Sequence, residues 1–123
     1  MTIDSLKFIS DTLTGAGINY EFWEWTSPVT YPYFVGEYSE SEPVNEDGMQ
    51  ESEVILNGFT RESYLELETA KSKIETLFSN MTTILPNGNG LAIFYAGSFV
   101  VPTGDEELKK IEIHLRINEW KVN

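Results

Sequence analysis

The chain has 123 residues, and eight Lys and Arg set against twenty Asp and Glu leave a formal charge of −12. That length suits a single domain spanning 1–123, and 41% apolar with 13% aromatic residues is enough for a core, which argues against disorder. With no cysteine, disulfides, thiol catalysis and cysteine-ligated zinc are excluded. The first seven residues lack a basic start followed by an apolar stretch, so no secretory signal is expected. The longest apolar run, 91–101, is broken by Gly97 and Ser98 and falls short of the roughly 20 residues a membrane helix needs. Asn80-Met81-Thr82 matches a glycosylation sequon, read here as chance.

In chain order, a first helix is predicted over 3–14, with Ile3, Leu6, Ile9 and Leu13 on one face. Thr2 caps it, Asp4 suits its positive end, and Gly15 and Gly17 end it. An aromatic strand follows over 19–25, broken by Ser27-Pro28. A second strand covers 31–41, where Pro32 places its start at an edge or outside the ladder. Residues 42–50 read as a loop, and 51–56 as a third strand, so the second and third strands form a long hairpin with an acidic tip. A second helix starts from a Thr60 cap, and Leu67, Ala70, Ile74, Leu77 and Met81 form its apolar stripe. Pro86 to Gly90 is a turn cluster. The fourth strand, 91–101, is apolar on both faces, the pattern of a central covered strand or of one covered by a neighbouring subunit. After a turn at 102–105, the fifth strand covers 108–120. Ile111, Ile113, Leu115 and Ile117 face one way, and Lys110, Glu112, His114 and Arg116 the other. The expected class is α+β, an antiparallel or mixed sheet of four to five strands with two packed helices, in the order α-β-β-β-α-β-β.

Charge is unevenly placed. No Lys or Arg stands between Lys7 and Arg61, a window holding ten acids. Seven of them, Glu37, Glu40, Glu42, Glu46, Asp47, Glu51 and Glu53, crowd the second and third strands and their loop. Such a run is a solvated face, or else a surface that repels nucleic acid or meets a basic partner. Direct phosphate binding is disfavoured, because it needs clustered Lys and Arg.

Catalytic chemistry finds little support. His114, the only histidine, has no nucleophile elbow to serve and alternates with charged residues as a surface histidine does. Zinc would have to rest on carboxylates and one histidine, a poor ligand set for it. Residues 45–48 fail as a calcium loop because Pro43 stands where an aspartate is required. The glycines after Asn87 precede a strand, not the helix terminus that cradles phosphate. Pairs such as Glu40 with Glu42 or Glu51 with Glu53 arise by chance among twenty acids. No catalytic residue, metal or cofactor is therefore expected. The aromatics say more: Tyr20, Phe22, Trp23, Trp25, Tyr31, Tyr33, Phe34 and Tyr38 fall within nineteen residues. One sheet face cannot bury all eight. Trp23, Trp25, Tyr31, Tyr33 and Tyr38, with Phe99 on the fourth strand, are the candidate subunit-interface residues.

The stretch Tyr31-Pro32-Tyr33-Phe34-Val35-Gly36, within the segment from Trp25 to Tyr38, together with Gly58-Phe59-Thr60 and the helix through Leu67, Lys71 and Ile74, resembles the tail-terminator and head–tail joining proteins of long-tailed phages and prophages. The resemblance implies a structural virion protein, made in the host cytoplasm and carried in the tail. It also implies a homo-oligomeric ring, a hexamer, that caps the tail tube, meets tail-tube and head-connector proteins, and lets DNA through. Neither specific nucleic-acid binding nor a membrane is implied. A compact chain of this length is on the order of 35 Å across. Six such discs enclose an opening about one disc wide, which admits a duplex, and an acidic lining would not hold it. The rival from another class is an acidic DNA mimic that inhibits a DNA-binding enzyme. Its charges would be spaced along one elongated face, whereas here they cluster on a hairpin. A small enzyme comes third.

Overall fold

The computed structural model describes residues 1–40 and 48–121. Helix α1 (Ile3–Gly15) is followed by strands β1 (Tyr20–Phe22), β2 (Tyr33–Glu40) and β3 (Met49–Thr60). Helix α2 (Tyr64–Leu77) comes next, then β4 (Met81–Ile84), β5 (Gly90–Val101) and β6 (Lys109–Trp120). All six strands join one sheet in the order β1-β2-β3-β6-β5-β4. Only the β1–β2 pair is parallel. The α+β class, the mixed sheet and the two helices are as expected. The strand number is not: among the described residues there are six, in the order α-β-β-β-α-β-β-β.

The additional strand comes from the end of the second predicted helix. Met81 continues the apolar spacing of α2, yet the helix stops at Leu77 and Met81 pairs with Ile93. Phe78 caps α2 at its C-terminal end and is fully buried, so the chain turns there. The start of α2 also shifts. Ser63 is the cap, its hydroxyl accepting from Leu65 N at 3.1 Å. Thr60, the expected cap, is buried at the end of β3. Its hydroxyl accepts from Glu62 N at 3.1 Å and donates to Glu66 at 2.9 Å, ordering the turn before the helix. Thr2 caps α1 as expected, but the buried face is Ser5, Ile9 and Leu13, while Ile3 is 82% exposed.

Strand ends differ for local reasons. β1 has three residues, not seven, because Trp23 adopts φ 76° and turns the chain out of the ladder. β2 begins at Tyr33, so Pro32, joined to Tyr31 by a cis peptide bond, lies outside the ladder. β3 is twice the expected length. Met49 and Gln50, expected in the loop, already pair with β6, and Asn57-Gly58 continues the pleat as far as Thr60.

The core lies on one side of the sheet. Ile9 and Leu13 of α1 and Leu67, Ala70 and Ile74 of α2 cover Phe34, Val54, Leu56, Ile111, Ile113, Leu115 and Ile117. The even positions of β3 and the odd positions of β6 face these helices, so the predicted inward set of β6 is the one observed. Of the acidic tip of the β2–β3 hairpin, Glu42, Glu46 and Asp47 lie outside the described residues.

Candidate interaction surface

Strand alternation fixes what the uncovered face presents. Tyr33, Val35, Glu37 and Ser39 come from β2, and Glu51, Glu53, Ile55, Asn57 and Phe59 from β3. Lys110, Glu112, His114, Arg116 and Asn118 come from β6. A groove of about 740 Å³ crosses this face, lined among others by Glu51, Glu53, Phe99, His114 and Arg116. Its β5 wall is shaped by a bulge between Tyr95 and Ser98, where Gly97 has φ 115°.

His114 is therefore a groove residue, more engaged than a plain surface histidine. Its Nδ1 meets the Glu53 carboxylate, Nε2 stands 3.7 Å from Glu112, and its ring stacks on Phe99 with centroids 5.4 Å apart. No serine nucleophile pattern accompanies it, and among the described residues no group of three or more His, Asp or Glu is placed to hold a metal.

Among the described residues, the predicted acids do not share one surface. Glu37, Glu51 and Glu53 are exposed on the open face. Glu40 lies on the helix side at the end of β2, where its carboxylate pairs with the Met1 amino group, which also donates to Gln50 at 2.9 Å. The aromatics form two clusters. Trp25, Tyr31 and Tyr33 are half-buried, with Tyr33 4.9 Å from Trp25 and 5.2 Å from Phe59, and Lys110 lies 5.6 Å above Phe59. Burial, with Tyr31 nearby, pushes the Tyr33 hydroxyl pKa up. The second cluster sits at the β1 edge on the helix side. There Trp23, 61% exposed, stacks on Phe22 at 5.4 Å and lies 6.0 Å from the half-buried Tyr38. Beside it, hydrogen bonds from Thr26 and Ser27 hold the Glu21 carboxyl below its usual range and tie the following segment back to β1.

Phe99, 53% exposed, stands apart on β5 with Val100, 49% exposed. Phe22, one of the crowded aromatics but outside the candidate interface set, and Val100 are exposed as well. A signal for Val100 exists in the sequence: no Asp, Glu, Lys, Arg or His stands between Glu75 and Asp105.

No family model matches the chain, and no curated protein matches its sequence. Solved structures do match its fold. One is a chain from the virion of the native gene transfer agent particle, at TM-score 0.73 and 9% identity, covering 89% of this chain and 84% of that one. A second solved chain matches at TM-score 0.61 and 12% identity, over 100% of this chain and 99% of that one. At these identities the likeness is one of fold, and the fold is one found in the virion of a gene transfer agent particle.

Proposed function

We propose that the chain is a structural protein of a phage-like virion, a tail-terminator or head–tail joining subunit. It closes with copies of itself into a ring, a hexamer, that caps the tail tube and passes DNA to or from the head. The observation that carries this reading is the fold likeness to a chain of the gene transfer agent virion. Exposed aromatic and apolar side chains at both sheet edges support self-association. The role needs no catalytic residue and no cofactor. Light scattering over a wide concentration range, with and without tail tubes, is expected to find a ring-sized mass. A monomer under every condition would overturn the reading.

The acids of the β2–β3 hairpin are part of the proposal, as a channel lining or as the seat of a basic partner. Replacing Glu37, Glu42 and Glu46 with Gln and Asp47 with Asn relieves like-charge repulsion, so the melting temperature should hold or rise slightly. Infectivity should fall, by an amount that changes with salt. Normal infectivity would leave these acids as a solvated face.

A further inference from the structure

We propose that the second half of β5, residues 96–101, is the edge against which another copy of this chain docks, seated on the ledge of Phe22 and Trp23 at the opposite edge of that copy's sheet. The inference rests on the ring reading above and names the contact that closes the ring.

The backbone supplies the first argument. β4 pairs only with the stretch from Gly90 to Ile93, and Phe78 O accepts from Tyr95 N at 2.8 Å. Beyond Tyr95, among the described residues, β6 pairs with one side of the strand and nothing with the other. An open edge of this kind is ordinarily guarded by charge, proline or brevity. Here the bulge at Gly97 stands at its start and Pro102 just after its end, but the strand between carries no charge, and Phe99 and Val100 are exposed on it.

Charge argues for the occupant. Two copies at −12 repel wherever their acidic surfaces meet. The uncharged strip between Glu75 and Asp105 lets like chains approach without that cost, whereas a basic partner would gain more on the acidic faces.

Register argues for the opposite edge. Phe22 pairs with Gly36, Gly36 with Leu56, Leu56 with Ile113 and Ile113 with Ser98. Phe22 at one edge and Phe99 and Val100 at the other therefore lie within two residues of one rung. Contact between unlike edges is head-to-tail, the kind of interface that makes a ring when the rotation between neighbours closes. Pairing β5 with β5 about a two-fold axis would stop at a dimer.

Because the chain has no cysteine, engineered thiols report cleanly. In the variant carrying both Trp23→Cys and Val100→Cys, mild oxidation should give a ladder of covalent oligomers, while each single variant stays monomeric on a denaturing gel. Val100→Lys should weaken assembly by roughly tenfold or more with the melting temperature little changed. Dimers from Val100→Cys alone would overturn the proposed pairing. Rings seen by electron microscopy without a ladder would overturn this edge and leave the ring reading standing. A chain that is monomeric with tail tubes present would overturn both.

Discussion

Gly58→Ala is expected to destabilise the protein by about 1–3 kcal/mol, the usual cost of forcing a methyl group into a filled core. Gly58 lies directly across the ladder from Phe34, whose fully buried ring rests where a Cβ would stand. At Gly36 the same space is taken by the ring of Tyr20, whose hydroxyl pKa burial raises to about 12. The two glycines thus let aromatic rings lie flat on the sheet under the helices. Gly15→Ala, with nothing within 4 Å of the added carbon, is the control and should be near neutral. Urea midpoints at constant slope measure both. Phe34→Leu in the Gly58→Ala background should recover part of the loss, because the two positions share one space. Equal midpoints for the Gly58→Ala and Gly15→Ala variants would show that the Phe34 ring moves aside freely.

The fold was legible where the period was clean. The alternation through Ile117 in β6 and the Thr2 cap of α1 needed no tertiary information. It was not legible where tertiary packing overrides local pattern. Met81 fits the stripe of α2 but pairs with Ile93 instead, and Asn57-Gly58 has turn chemistry but Gly58 lies under an aromatic ring. Ile3 fits the apolar face of α1, yet the turn beginning at Asn87 holds that end of the helix so that Ser5 faces inward. Asn87 N donates to Asp4 at 2.9 Å.

The candidate surface was legible in part. Aromatic excess foretold exposed rings, and Trp23 and Phe99 are exposed, but composition cannot say that Trp25, Tyr31 and Tyr33 cover one another. Among the described residues, the crowded acids do not share one face, because alternation sends Glu40 to the face opposite Glu37, Glu51 and Glu53. The apolar β5 reads as a strand covered within the chain or by a neighbouring subunit. Its first half is covered within the chain, and its second half extends beyond β4.

The same alternation that buries Ile117 carries Glu119 inward, and there a second large effect is expected. Glu119 is 2% exposed. Its carboxylate accepts from Thr2 N at 3.1 Å, from the Thr2 hydroxyl at 2.8 Å and from Asn89 at 2.7 Å. The Thr2 hydroxyl in turn accepts from Ser5 N, so one buried acid fixes the cap of α1 to β6 and to the turn before β5. Burial alone would raise the Glu119 pKa. The hydrogen bonds from Asn89 and Thr2 outweigh it and hold the carboxyl below the ordinary value of 4.5. Glu119→Ala leaves those donors without their acceptor and should cost about 2–4 kcal/mol at neutral pH. Glu119→Gln should also destabilise, since its amide turns a donor towards donors. The sign of the pH dependence follows from the depressed pKa. The carboxylate's contribution is complete above the unfolded value and is lost as pH falls through the lower folded value. The stability gap between the native protein and the Glu119→Gln variant should therefore narrow on acidification below about pH 4.5. A gap that stays constant from neutral pH to about pH 3 would mean that the charge on Glu119 contributes nothing to holding α1 in place.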